Sequence, residues 1–204
     1  MRWPWSKKES TAGALFALWN TGQPVFMARN SKAFALEGYQ QNVIAYRCVR
    51  LISAAAADCS IFAMRGDEEA PNHPALALLS RPNPINGGRA FYEAVYSYYL
   101  IAGNSYIESI STMRGVPREL WVLPAHNMFP IAGKSGMPEG YEFRSGAQTK
   151  RWTVDFTKNE TPILHFKAFN PLDIWNGQSP MEAASLSIDQ HNASSRWNKA
   201  LLDN

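Results

Sequence analysis

Hydrophobic and polar positions along this chain first fall into a regular rhythm near Asn42. From there Ile44, Cys48, Leu51, Ile52 and Ala55 recur at the spacing of an amphipathic helix. Arg47, Arg50 and Ala54 occupy another side of it. The preceding residues, 1–40, mix Trp, Gly, Pro and Lys without a sustained period. They read as an arm, poorly ordered or peripheral, so order is expected to begin near Asn42. After the helix, 60–65 reads as a short strand closed by the charged turn Gly66-Asp67-Glu68-Glu69. A short helix follows, with Pro74 in its first turn, and Arg81-Pro82-Asn83-Pro84 ends it because neither proline can continue a helix. The next helix spans Gly88 to Ala102 and stops at Gly103, a residue suited to a left-handed cap. Its stripe is Phe91, Val95, Tyr98, Tyr99 and Ala102, with a second row Tyr92, Tyr96, Tyr99 beside it. A helix apolar or aromatic around most of its circumference is buried on several sides or serves an interface.

From Asn104 the period changes to two. Tyr106 to Ile110 and Glu119 to Leu123 flank the turn Met113-Arg114-Gly115-Val116-Pro117 as a hairpin. Short strands continue at Phe129-Pro130-Ile131, Tyr141 to Arg144, Lys150 to Val154 and Pro162 to Phe166, punctuated by Gly133, Gly136, Gly140 and Gly146. The predicted fold class is α+β: helices, then an antiparallel β meander, then a long C-terminal helix.

That last helix has a clear beginning. Ser179 is a cap, Pro180 suits the first helical position, and Glu182 completes an S-x-x-E capping box. No stop signal precedes Asn204, so a helix over 180–203 would be roughly 36 Å long at about 1.5 Å per residue. Its high polar content and drifting apolar positions are poorly explained by packing within its own chain. We read it as the leading edge of further structure or as a contact with other copies.

Composition narrows the picture. The chain has 204 residues, 46% of them apolar and 12% aromatic, which supplies a sizeable core. A net charge of +3 is too mild for a nucleic-acid footprint. Cys48 and Cys59 form no C-x-x-C pair and read as free buried thiols in a reducing compartment. No apolar run reaches the ~18 residues of a membrane span. The leader carries Pro4 and Glu9 and lacks a clean cleavage site, so the chain reads as cytoplasmic.

Candidate chemistry fails residue by residue. Gly133-Lys134-Ser135 matches the end of a phosphate loop, but Met128 stands where the pattern needs glycine, and Pro138 and Gly140 follow instead of a helix. Gly177-Gln178-Ser179 looks like half a nucleophile elbow, yet Pro180 removes the backbone N–H that the oxyanion hole needs. His73, His126, His165 and His191 fall in four different elements without zinc spacing, and His165 reads as a core or sheet residue. The sequons at Asn159 and Asn192 carry little weight in a cytoplasmic chain. Arg47 with Arg50, and Lys150 with Arg151, read as solvated or salt-bridged pairs. We therefore expect no catalytic, cofactor-binding or metal-binding residues, and no enzyme.

Several blocks together resemble tailed-phage portal proteins of the HK97-like lineage, in particular those of alphaproteobacterial gene transfer agents and related prophages. They are Tyr46 to Ile52, His73-Pro74 through Arg81-Pro82-Asn83-Pro84, and Gly103-Asn104-Ser105-Tyr106-Ile107-Glu108. Pro117 to Pro124 and Gly177-Gln178-Ser179-Pro180-Met181-Glu182-Ala183-Ala184 complete the series, in the family's order over 42–204. Asp58-Cys59-Ser60 departs from the family, where an apolar residue and proline are usual. The resemblance implies a portal wing-like domain over 41–178 and a helix, 179–204, leading toward stem and clip segments, with this chain an N-terminal fragment. It also implies a ring, usually of twelve subunits, at one capsid vertex of a virion assembled in the bacterial host cytoplasm. Its partners would be the major capsid protein, the terminase large subunit and a head-tail adaptor. Double-stranded DNA would pass through the channel during packaging and ejection without sequence specificity, with no cofactor and no membrane. A non-portal head or adaptor protein sharing the wing-like module is the alternative.

Overall fold

The helix Gly88–Ala102 organises the molecule, and the residue that ends it is a glycine because the chain there turns left-handed. In the computed structural model, which describes residues 30–111, 116–133, 138–155 and 161–203, Gly103 has φ of 70° and donates its N–H to Tyr99 O at 2.9 Å. The helix buries Phe91, Val95, Ile101 and Ala102, while Tyr98 and Tyr99 of the expected stripe are half-buried.

Order begins earlier than the hydrophobic rhythm suggests. Asn30 Oδ1 accepts the Ala33 N–H at 2.9 Å and starts α1, Ser31–Ala33, which runs into a π-helix, Phe34–Gln40. Phe34 and Gly38 are buried, so the expected arm is corrected over 31–40. A π-helix bonds five residues apart instead of four, which erases the 3.6-residue period. The expectations for 1–29 lie outside the described residues.

Helix α2, Val43–Ala57, starts where expected, with Asn42 Oδ1 accepting the amides of Ile44 and Ala45 at 3.1 and 2.9 Å. Its buried face differs from the expected one. Ala45, Val49, Ser53 and Ala57 are inside, whereas Ile44, Leu51 and Ile52 are more than half exposed. Small side chains at four-residue spacing let α2 approach its neighbours closely, and a search for large apolar residues finds the other face. Cys48 and Cys59 are both exposed, which corrects the expectation of buried thiols. At the end of α2, Asp58 meets the Arg89 guanidinium (Oδ1–Nε 2.5 Å, Oδ2–Nη2 3.3 Å), so the departure at Asp58 makes an ion pair to the next long helix.

The expected strand over 60–65 shrinks to a hairpin of β1, Met64–Arg65, and β2, Glu68–Glu69, turned at Gly66 with φ of 64°. Helix α3, Pro74–Ser80, is capped by His73 Nδ1, which accepts the Ala75 amide at 3.2 Å. Asn83 then donates to Leu120 O at 2.9 Å while Pro82 O accepts the Leu120 amide at 2.8 Å, covering a sheet edge. Gly88–Ala102 is α4.

The strands are β3 (Asn104–Ser111), β4 (Pro117–Leu123), β5 (Met128–Ala132), β6 (Pro138–Ser145), β7 (Gln148–Thr153) and β8 (Ile163–Lys167). They form two antiparallel sheets, β4-β3-β8 and β5-β6-β7, so β8 leaves the meander and returns to β3, with Tyr106 opposite His165. Alternating polarity identifies strands but not their partners. Tyr106, Met128, Tyr141 and Ile163 form the core between the sheets, with the Tyr106 and Tyr141 rings 6.0 Å apart.

The C-terminal helix, expected as one rod, is divided at Ala184 into α5, Pro180–Ala183, and α6, Ser185–Leu202. Its first half is anchored: Ser185, Ile188, Asp189 and Asn192 are buried. Residues 193–203 are all exposed.

Candidate functional site

Two sequence blocks that looked independent meet at one joint. Asn104 Oδ1 accepts the Gly177 N–H at 2.8 Å and lies 2.9 Å from His165 Nε2; Asn104 Nδ2 donates to Ala102 O at 3.0 Å. Ser179 Oγ accepts the Met181 amide at 3.0 Å, starting α5, and donates to Ile101 O at 2.6 Å. One hydroxyl thus serves the start of one helix and the end of another, whose last carbonyls otherwise lack partners. The structure places Ser179 as a cap with no base beside it in these bonds. His165 stacks on Tyr106 with centroids 4.2 Å apart, and burial, with a smaller contribution from Lys167, lowers its pKa to about 4. Because Asn104 Oδ1 can only accept, the imidazole Nε2 carries a hydrogen and donates to it.

A second polar joint fixes the C-terminal helix. Asn42 Nδ2 donates to Asn192 Oδ1 at 3.0 Å and contacts His191 Nδ1 at 3.1 Å; Asn192 Nδ2 donates to Glu37 O at 2.9 Å. Asn42 and Asn192 are both buried, and such groups are stable only when paired. Nothing in the sequence pattern joins residues so far apart.

The remaining chemistry-bearing residues stay dispersed. His73 caps α3 and His126 lies in a 3-10 turn, Ala125–Asn127. Lys150 pairs with Glu108 at 2.6 Å, and Arg144 and Arg151 both pair with Glu142, whose carboxyl their hydrogen bonds hold below its usual range. Arg50 donates to Tyr46 Oη at 2.9 Å. Lys134, Ser135 and Asn159 lie outside the described residues. Among the described residues no three His, Cys, Asp or Glu side chains form a metal set, and no helix is long and apolar enough to cross a membrane.

What the structure does present is uncovered apolar surface. Beside Asn42 an open groove of about 310 Å³ is lined by Ile44, Cys48 and Ile52 of α2, by Leu100, and by Ile188 and His191 of α6. After β8, Phe169, Leu172 and Ile174 stand out, with Leu172 95% exposed. On the outer half of α6, Trp197, Leu201 and Leu202 are exposed as well. Scattered exposed apolar residues are ordinary, but contiguous patches mark interaction sites.

The described residues thus form an α+β module with uncovered apolar surface. The chain belongs to the phage portal protein family, whose model matches residues 44–204. Over 171 residues it is 37% identical to an uncharacterised protein of Rickettsia bellii, covering 83% of this chain and 44% of that protein. It also matches a chain in the neck of an empty GTA particle computed with C6 symmetry. There the TM-score is 0.79 at 35% identity, with 93% of this chain and 50% of the other covered. For the neck of the native GTA particle computed with C12 symmetry, the TM-score is 0.76 at 36% identity, with 96% and 51% covered. The virion of the native gene transfer agent (GTA) particle gives the same values. The chain therefore spans about half the length of the relatives it matches.

Proposed function

We propose that this chain acts as a portal subunit: copies close into a ring at one capsid vertex and conduct double-stranded DNA during packaging and ejection. The observation that carries the reading is the match across 96% of the chain, at 36% identity, to a chain in the neck of the native GTA particle computed with C12 symmetry. The uncovered groove, loop and outer helix support it, because a ring requires head-to-tail contacts between different patches. DNA passing a channel is held through its phosphates, and contacts to phosphates carry no base information. The work of packaging then falls to the terminase large subunit docked on the ring, with the head-tail adaptor and major capsid protein as further partners. The ring works as a conduit and a docking platform and needs no cofactor, and the finished protein resides in the virion after assembly in the host cytoplasm. Immunogold labelling of particles from a producing cell tests this. Label at a single vertex is expected; label over all vertices, or none on the particles, would overturn it.

A further inference from the structure

Asparagine is followed by glycine twice in this chain, at Asn86-Gly87 and at Asn176-Gly177. This is the pair most prone to lose its side-chain amide without an enzyme. The backbone nitrogen of the second residue attacks the side-chain carbonyl carbon of the first, and glycine has no Cβ to obstruct the approach. The fold sets the two pairs in opposite surroundings.

At Asn176-Gly177 the reacting groups are held. Gly177 is buried and donates its N–H to Asn104 Oδ1 at 2.8 Å. Asn176 Nδ2 donates to Asp173 Oδ2 at 2.9 Å and its backbone N–H to Asp173 Oδ1 at 3.2 Å, while its carbonyl accepts from Asn170 Nδ2 at 3.1 Å. At Asn86-Gly87 they are free. Gly87 is exposed and is the N-cap residue of α4, with no side chain to cap it. Among the described residues neither the Gly87 N–H nor the Asn86 side-chain amide has a hydrogen-bond partner. A Cβ built on Gly87 would meet nothing within 4 Å, so the space around the nitrogen is open. Only the Asn86 backbone N–H is tied, to Asn83 Oδ1 at 2.7 Å, which holds the loop without holding the groups that react.

We propose that Asn86 is a site of spontaneous deamidation and that Asn176 is protected by its hydrogen bonds. The Gly87 nitrogen attacks Asn86 Cγ. The N–Cγ bond forms, the Cγ–Nδ2 bond breaks, and ammonia leaves with the proton that the Gly87 amide gave up. Water then opens the cyclic imide at one of its two carbonyls and leaves aspartate or isoaspartate at position 86. Nothing is oxidised or reduced. Each event replaces a neutral amide with a carboxylate just before α4, at the helix end that favours negative charge.

Peptide mapping by mass spectrometry tests this on the full chain held in mildly alkaline buffer. Heavy-oxygen water during the incubation marks conversion that precedes digestion. Trypsin separates the two sites into peptides 66–89 and 168–196, because Arg81 precedes proline and is not cut. Conversion is expected at Asn86, with Asn176 roughly 25-fold slower, about fivefold for each of the two hydrogen bonds that must open first. In urea the two sites should convert at similar rates. An Asn86 that stays intact in the folded chain would overturn the proposal, and so would an Asn176 that keeps pace with it without denaturant. Gly87→Ala, which the open surroundings accommodate, should leave the melt unchanged and suppress most of the conversion; undiminished conversion would overturn the imide route.

Discussion

Gly103 and Gly177 meet backbone to backbone. A Cβ on Gly177 would lie 2.0 Å from Gly103 O, and a Cβ on Gly103 would lie 2.5 Å from Gly177 O. No rotamer change relieves a clash with backbone atoms, so Gly177→Ala should cost about 3 kcal/mol or more. Gly146 provides the contrast: its φ is 58°, but nothing lies within 4 Å of a Cβ there. Gly146→Ala should cost only the left-handed penalty, about 1 kcal/mol. Urea denaturation of the two variants checks the difference.

Ser179→Ala removes the cap on Met181 and leaves Ile101 O without its short bond. The expected loss is about 2 kcal/mol, the sum of a cap and a buried hydrogen bond. A Thr at this position keeps the hydroxyl and should recover much of that loss. Thermal melts of both variants decide it.

Stability should fall in mildly acidic solution through His165. Its pKa is lowered from 6.5 to about 4 by burial, so the unfolded chain binds the proton first. The favourable contribution is full above pH 6.5 and declines as pH falls toward about 4. By pH 5 the loss should reach up to about 2 kcal/mol. Asp58 and Glu142, whose carboxyls are lowered by hydrogen bonds to arginine, lose their contributions at more acidic pH, through and below the ordinary carboxylate range. Urea midpoints at pH 7.5, 6 and 5 should therefore shift in the wild type and shift much less in His165→Phe.

Tyr92 and Tyr96 lie on the same helix row but should behave differently. Tyr92 packs edge-on against Phe91 at 5.5 Å and joins the core cluster; Tyr96 is 38% exposed. Tyr92→Ser should cost about 2 kcal/mol in stability. Tyr96→Ser should leave the melt nearly unchanged and impair ring assembly. Size-exclusion chromatography with electron microscopy reads the second effect; unchanged rings would remove Tyr96 from the interface.

The legible parts of the fold were those with local punctuation. Gly103 ended a helix at the residue expected, Pro74 and Pro82 bracketed another, and Ser179 capped a third. The illegible parts depend on distant partners or on small residues. The π-helix Phe34–Gln40 broke the period, and Ala45, Val49, Ser53 and Ala57 carried the buried face of a helix whose large apolar residues point outward. The pairing of β8 with β3, and the bonds of Asn42 to Asn192 and Asn104 to Gly177, join residues with no shared local pattern. Both halves of the Asn104–Gly177 joint lie within the family blocks, although only the fold reveals that they touch. The groove was hidden in plain view: Ile44, Cys48 and Ile52 read as a core stripe and line a surface.

The most direct test of the ring is electron microscopy of the purified protein, with reference-free class averages to count symmetry. Closed rings with a central hole and twelvefold symmetry are expected, in line with the matched neck of the native GTA particle, which was computed with C12 symmetry. A monodisperse monomer under varied salt and protein concentration, or open filaments that never close, would contradict it.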